Sequence, residues 1–110
     1  MENRPITEQD ISSFGRSLIS EEKSANTVEK YLRDARAFAA FAAGGVLTKE
    51  LAVSYKQSLL EKGYAVRSVN SMLAALNRLF AFLGRRDCRF RDIKTPRLIQ
   101  FNDSSADFAA

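Results

Sequence analysis

The 110-residue sequence contains no histidine and no tryptophan, and it has a single cysteine, Cys88. Histidine is the commonest general base and metal ligand near neutral pH, so its absence removes the usual centre of acid–base or metal chemistry. One thiol can form neither an internal disulfide nor a thiolate zinc site. We therefore predict no metal, no cofactor and no disulfide framework.

Residues that break helices are also scarce. The two prolines, Pro5 and Pro96, lie near opposite ends of the sequence, and between them only glycine interrupts helical patterns. No segment shows the alternation of apolar and polar residues that is typical of a half-buried strand. The length suits one domain with one core, and 45% hydrophobic residues are enough to fold it. The sequence predicts a single all-α domain.

Several functional signatures are missing as well. No apolar run is long enough to span a bilayer and no signal peptide is visible, which predicts a cytoplasmic protein without a membrane partner. We find no glycine-rich phosphate loop, no carboxylate pair on one helix face and no nucleophile–base pair. The sequence therefore predicts a protein that is not an enzyme by itself.

Positive charge is concentrated late in the sequence. Residues 1–84 hold 11 basic and 9 acidic residues, whereas residues 85–97 hold six basic and two acidic ones. The last thirteen residues hold two acids and no base. A basic segment of this kind fits a polyanionic partner, and it also fits a solvated linker.

The stretch from Ala65 to Gly84 is the most informative part of the sequence. Its large apolar residues recur at spacings of three or four, which places them on one face of a helix: Val66, Val69, Leu73, Leu76, Leu79, Phe80 and Leu83. The opposite face has no acidic residue and carries Arg67, Ser68, Asn70, Ser71, Ala74, Asn77 and Arg78. Such side chains can donate to phosphates and base edges, so this helix either lies in a DNA groove or is a core helix with a polar outer face.

Three further helices are predicted before it, and the first two have clear start signals. Thr7 is placed as an N-cap with Asp10 at the capping-box position, and the helix continues to about Ser20. Ser24 or Asn26 caps the second helix, which ends at the glycine pair that follows.

The third helix is predicted to begin after Thr48 and to end with Gly63 at its C′ position. Gly84 closes the fourth helix. Beyond it we expect a short turn around Phe90 to Ile93 and an extended linker from Thr95 onward.

Two fragments, SANTVEKYLRDARAFAAF and LTKELAVSYKQSLLEKGYAVRSVNSMLAALNRLFAFL, resemble a known family. They look like the N-terminal core-binding, SAM-like domain of tyrosine recombinases, the phage integrase family. In the second helix the resemblance is carried by Asn26, Thr27, Tyr31, Asp34, Phe38 and Phe41. Later it is carried by Gly63, Arg67, Ser68, Val69, Asn70, Leu73, Ala75, Leu76 and the segment from Phe80 to Leu83. Ala65 stands where the family often has a serine or threonine cap.

The resemblance implies a compact four-helix SAM-like core-binding domain with an extended basic C-terminal linker. The domain covers residues 1–95, and residues 96–110 are a linker or tail toward a catalytic domain. Family members close around DNA as a clamp, and their core-binding half puts two helices across the major groove. Here these would be the second and fourth helices. The contacts carried over to this sequence are Ser24, Asn26, Thr27, Lys30, Arg33, Arg67, Ser68, Asn70, Ser71, Asn77 and Arg78.

The implied function is to grip the half-site of a site-specific recombinase. Partners would be double-stranded DNA, the catalytic domain and sister recombinase subunits. The family's catalytic residues belong to the other domain, and none is carried over to this sequence. The alternative is a helical protein–protein interaction module with no DNA role. That function would need an exposed apolar patch on the concave side where DNA binding would need cations.

Lys30 and Asn70 are expected to play different parts in DNA binding. A lysine ammonium is a flexible point charge suited to phosphate, whereas an asparagine amide can pair with an adenine edge. Both residues lie off the predicted apolar stripes, so we expect neither to contribute much to the stability of the fold.

Overall fold

The computed structural model describes residues 4–91. Within that range the chain forms four α-helices and no strand: α1 (Glu8–Ser20), α2 (Ala25–Ala42), α3 (Lys49–Glu61) and α4 (Val66–Phe82), followed by a 3₁₀ turn at Arg86–Cys88. The predicted all-α, four-helix architecture is confirmed. The expected linker from Thr95 and the boundary between residues 95 and 96 lie outside the described residues.

Local sequence signals set where three of the helices begin. At α1 the amide of Asp10 donates to Thr7 Oγ1 (3.1 Å) and the amide of Thr7 donates back to Asp10 Oδ2 (2.9 Å), which completes the capping box. At α2 the cap is Ser24, not Asn26, because the amide of Thr27 donates to Ser24 Oγ (3.2 Å). Thr48 caps α3 in the same way, accepting from the amide of Leu51.

Helix α4 begins at the predicted place without such help. Its N-cap residue, Ala65, makes no side-chain capping bond. The helix is held instead by burial, since Val69, Leu73 and Leu76 are fully shielded from solvent. Just before it, Gly63 has a φ of +84°, a left-handed conformation that disfavours any residue with a Cβ, so α3 ends there and the chain turns at once into α4.

The core lies where α2, α3 and α4 meet, and its centre is aromatic. Phe38 on α2 is fully buried and packs edge-on against Tyr55 of α3 (ring centroids 5.1 Å apart) and against Phe80 of α4 (5.5 Å). Helix α1 packs on α2, and Gly15 allows the close approach: a Cβ there would lie 3.2 Å from a Leu32 methyl carbon. Phe41, predicted on the apolar face of α2, remains 40% exposed.

The short turn after α4 lies earlier than predicted. It occupies Arg86–Cys88 rather than the segment around Phe90, and its expected end at Ile93 lies outside the described residues. Between residues 4 and 91, none of the helices combines the length and the apolar composition needed to cross a membrane.

The capping box predicts a dependence of stability on pH. A hydrogen bond from Arg4 holds the pKa of Asp10 at about 2, below its ordinary value of 3.8, and bonds from Thr7 act in the same direction. The unfolded chain therefore takes up this proton at a higher pH than the folded one. The resulting stabilisation is complete above about pH 4 and is lost as the pH falls toward 2.

We expect Asp10→Asn to lose less stability than the unchanged protein over this range of acidification, as measured by urea unfolding. Arg85 likewise lowers the pKa of Asp87 to about 2. Asp87 is present in both proteins, so its contribution to the loss of stability is the same in each and does not affect the difference between them. Equal losses in the two proteins would show that the pairing with Arg4 does not persist in solution.

Candidate nucleic-acid interface

Two adjoining depressions, of about 380 Å³ and about 390 Å³, lie on the outer surface between α2 and α4 and share Lys30 and Ser71. Most of the residues that line them are polar or charged. The first is lined by Asn26, Thr27, Lys30, Tyr31, Ser71 and Ala74. The second is lined by Lys30, Arg33, Asp34, Arg67, Ser68, Ser71 and Met72. We call this surface the α2/α4 groove.

Helical periodicity explains why these side chains come together. On α2 the residues Val28, Ala35 and Phe38 are buried in the core, so the residues between them on the outer face are turned toward solvent. The buried stripe of α4 likewise leaves its serines and Arg67 on the outside. The structure thus brings together seven residues predicted from the sequence: Asn26, Thr27, Lys30, Arg33, Arg67, Ser68 and Ser71.

Lys30 lies at the centre of the groove and spans it. Its Nζ donates to Asp34 Oδ2 (2.6 Å) on the same helix and to the backbone carbonyl of Ser71 (2.9 Å) on α4. The ammonium also lies 5.8 Å from the centroid of the Tyr31 ring. Lys30 is therefore a bridge between the two helices as well as a positive charge. The bridge was not predicted from the sequence.

Asp34 was read from the sequence only as a feature of the family resemblance. In the structure its residue is 8% exposed, and the carboxylate depends on Lys30 as its counterion. The spacing of Lys30 and Asp34, four residues apart on one helix, is the signal that points to this pair. The pair neutralises the only acidic side chain that lines either depression.

Arg33 of α2 and Arg67 of α4 also line the second depression, but unlike Lys30 they have no partners within the described residues. Both are exposed, and neither makes a hydrogen bond or an ion pair with any residue between 4 and 91. Their guanidinium groups therefore keep all their donors for a ligand. The first turn of α2, which supplies Asn26 and Thr27, contains no acidic residue.

The other four predicted contacts do not line the groove. Ser24 caps α2, and its hydroxyl donates to Thr27 Oγ1 (3.0 Å). Asn70 is half-buried on α4, outside both depressions. Arg78 forms an ion pair with Glu21, which follows α1 and lies away from the groove.

Asn77 is the fourth, and both ends of its amide are occupied. The backbone amide of Phe90 donates to Asn77 Oδ1 (2.7 Å), and Asn77 Nδ2 donates to the carbonyl of Phe90 (3.1 Å). These two bonds tie the chain that follows α4 back onto the helix. The sequence reading placed Asn77 on a solvent-facing surface because its partner is not predictable from helix periodicity.

A buried arginine that no sequence pattern indicated, Arg85, organises the same end of the domain. Arg85 is 7% exposed, donates to the carbonyl of Leu47 (3.1 Å) and pairs with Asp87 (2.8 Å). Beside it, burial raises the pKa of the Cys88 thiol, which makes this cysteine a poor nucleophile. Within residues 4–91 no cluster of histidine, cysteine or acidic residues is arranged to hold a metal ion.

Comparison with known proteins agrees with this architecture. A family model described as "Phage integrase, N-terminal SAM-like domain" matches residues 11–87, which include most of α1, all of α2, α3 and α4, and part of the 3₁₀ turn. No curated protein and no solved structure matches the chain. The matched segment covers well over half of the sequence, so the chain belongs to the phage integrase N-terminal SAM-like domain family, the non-catalytic core-binding part of tyrosine recombinases, whose role is in site-specific recombination.

Proposed function

We propose that this domain grips the duplex DNA of a recombination half-site, with α2 and α4 across the major groove and the α2/α4 groove against the DNA. The observation that carries the proposal is the position of Arg33 and Arg67. These two exposed arginines, without ion-pair partners among residues 4–91, flank a depression whose single acid is already neutralised. A surface of this kind attracts a polyanion and has donors at the right place to bind it.

The residues of the groove divide by the DNA group that each can bind. Arg33 and Arg67 bind phosphates, because a guanidinium offers paired donors to phosphate oxygens. The hydroxyls of Thr27, Ser68 and Ser71 add further phosphate bonds and fix the register of the protein on the duplex. Asn26 supplies an amide, the group best suited to an adenine edge in the major groove. Asn70, which was also predicted to contact DNA, lies outside both depressions, so Asn26 is the amide that we assign to the groove.

Lys30 has a mixed role in this proposal. Its ammonium cancels the negative charge of Asp34, and two of its three donors are engaged by Asp34 and Ser71, which leaves one donor for a phosphate. Ser24 acts through the N-terminus of α2, which it caps. Asn77 and Arg78, both predicted as direct contacts, have partners within the domain, and we propose that they shape the surface rather than read bases.

The distribution of apolar surface argues against a protein–protein interaction module in the groove. Large exposed apolar side chains are found on the described part of the chain, but none lines either depression: Ile19, Phe41, Val46, Val53, Leu60, Tyr64 and Phe82. The apolar contribution to the groove comes from Tyr31, Met72 and Ala74. The groove therefore suits a charged partner better than an apolar one.

In this proposal the domain supplies binding, and strand cleavage belongs to a catalytic domain with which it acts in the cytoplasm. The sequence has no histidine, and Cys88 is buried. Sister recombinase subunits on the neighbouring half-sites complete the assembly. The affinity of the domain alone should be modest and strongly dependent on salt, since it forms only one side of a clamp.

The Arg33→Gln/Arg67→Gln double variant tests the groove. If each arginine neutralises one phosphate, the slope of log K against log salt should become shallower by about 1.8, because each contact contributes roughly 0.9. Fluorescence anisotropy with a labelled duplex, titrated at several salt concentrations, measures this slope.

The matched control is Arg16→Gln/Lys23→Gln, which removes the same net charge from two exposed positions that line neither depression. It should change the slope much less. If both double variants reduce the slope equally, only the overall charge of the protein matters, and the groove is not the binding surface.

A further inference from the structure

A second group of cations lies where the chain after α4 crosses α3. Lys49 Nζ donates to the backbone carbonyl of Arg89 (2.6 Å), and Lys56 Nζ donates to the carbonyl of Arg91 (3.1 Å). Two lysines of α3 and two arginines of the following segment are thereby held side by side. We call Lys49, Lys56, Arg89 and Arg91 the α3 strip.

The backbone of this segment is anchored and does not depend on the arginine side chains. Asn77 holds both backbone polar groups of Phe90 (2.7 and 3.1 Å). The ring of Phe90 is 3% exposed, lies 5.7 Å from the ring of Phe80, and is covered by the Lys49 ammonium at 5.9 Å. The side chains of Arg89 and Arg91, on either side of this anchor, belong to exposed residues.

The charges of the α3 strip are not neutralised by the domain itself. None of the four residues forms an ion pair with any residue of the described range, 4–91. The one acid between residues 85 and 91 is Asp87, which is already paired with Arg85. Each lysine that donates one bond to a carbonyl keeps two N–H donors, so both ammonium groups can also bind a phosphate.

Helix α4 connects this strip to the α2/α4 groove. Ser71, which receives Lys30, and Asn77, which anchors Phe90, are six residues apart, or roughly 9 Å along the helix axis at 1.5 Å per residue. The two surfaces are therefore joined through less than two turns of one helix.

We propose that the α3 strip is a second phosphate-binding surface for the same DNA duplex, and that Asn77 is the residue that positions it. The inference rests on the proposed function of the α2/α4 groove and adds a contact to it. Arg89 and Arg91 bind the phosphates, Lys49 and Lys56 hold the segment by its carbonyls and add charge, and Asn77 fixes the segment against α4 without touching DNA.

The Arg89→Gln/Arg91→Gln variant tests the contact, because it removes both guanidinium groups and leaves every backbone anchor in place. In salt-dependent anisotropy titrations with a labelled duplex of mixed sequence, the slope of log K against log salt should become shallower by about 1.8. The control Arg16→Gln/Lys23→Gln, with the same change in net charge, should leave the slope nearly unchanged.

Asn77→Ala tests the positioning role, because it removes no charge. If Asn77 holds the strip in place, this variant should also make the slope shallower, and it should have no further effect in the Arg89→Gln/Arg91→Gln background. A circular-dichroism melt confirms that each variant is folded at the titration temperature. Non-additivity of this kind identifies residues that act as one unit.

Two results would overturn the inference. The slope could be unchanged in Arg89→Gln/Arg91→Gln although Arg33→Gln/Arg67→Gln reduces it; DNA would then bind in the groove alone, and the proposed function would stand. Alternatively, Asn77→Ala could weaken binding additively in the double-variant background, which would make Asn77 a direct contact. If the unchanged protein shows no salt-dependent binding to the duplex, the proposed function itself fails.

Discussion

Phe38→Ala is expected to lower the free energy of unfolding by about 3–5 kcal/mol, the usual cost of removing a fully buried phenylalanine. The ring is 0% exposed and is the point at which three helices meet, since it packs edge-on against Tyr55 and Phe80. Its removal leaves a cavity between α2, α3 and α4 that backbone movement can fill only in part. Because domains of this size have a total stability of roughly 5–15 kcal/mol, this variant should approach the limit of folding.

Phe41→Ala is the matched control one turn further along α2. Phe41 also packs edge-on against Tyr55, at 5.1 Å, but it is 40% exposed, so its truncation opens no closed cavity. Urea unfolding followed by circular dichroism should show a much smaller loss than for Phe38→Ala. Similar losses in the two variants would mean that the aromatic cluster extends to the surface and that Phe38 is not its centre.

The fold could be predicted from the sequence because its signals are local. Thr7, Ser24 and Thr48 each cap a helix by accepting from an amide three residues later, and Gly63 ends α3 with a positive φ. Each of these helix starts and ends depends on a few neighbouring residues. The choice between Ser24 and Asn26 remained open in the sequence because both have a side chain that can cap, and only the backbone geometry separates them.

The sequence predicted which residues lie on the outer face of α4, but it did not predict which other parts of the chain each of them contacts. Helix periodicity identifies the outer face of α4, and Arg67, Ser68 and Ser71 on that face line the α2/α4 groove. Their contact with DNA stays a prediction. Periodicity treats that outer face as one surface, however. The structure covers different edges of α4 with different parts of the chain, so residues of the same face have different neighbours.

Long-range partners account for the residues whose surroundings the sequence did not predict. Asn77 is held by Phe90, thirteen positions away, and Arg78 pairs with Glu21, fifty-seven positions away. Lys30 reaches the carbonyl of Ser71 across forty-one positions. These contacts cannot be predicted from residue type. Asparagine, arginine and lysine on a polar helix face can contact solvent, DNA or another segment of the domain equally well.

The structure also explains how a groove that we propose to face DNA can carry an aspartate. Asp34 would repel phosphates if it were unpaired, but its carboxylate is largely buried and is paired with Lys30, which lines the same depression. The pair is electrically neutral as a unit, so the field of the second depression is set by Arg33 and Arg67. Under the proposed function, Lys30 therefore contributes chiefly by cancelling the charge of Asp34 and by joining α2 to α4.

Lys30→Ala is accordingly expected to destabilise the fold by about 2–4 kcal/mol, contrary to the expectation from the sequence that it would affect DNA binding alone. Removing one partner of a buried ion pair typically costs about 3–5 kcal/mol, and the lower range here allows for the partial exposure of Lys30, whose side chain is 28% accessible. The loss has two sources: the carboxylate of Asp34 is left buried without a counterion, and α4 loses the bond to the carbonyl of Ser71.

A double-mutant cycle separates this role from a simple phosphate contact. Asp34→Leu in the Lys30→Met background should recover much of the lost stability, because replacing both charges by apolar groups removes the uncompensated carboxylate. The exposed pair of Arg36 and Glu8, with side chains 55% and 69% accessible, is the control, and Arg36→Ala should cost at most about 1 kcal/mol. Urea unfolding of Lys30→Ala, of the four proteins of the cycle and of the control variant measures these free energies. If Lys30→Ala unfolds at the same urea concentration as the unchanged protein while its affinity for DNA falls, Lys30 is a surface phosphate contact and the bridge between α2 and α4 carries no stability.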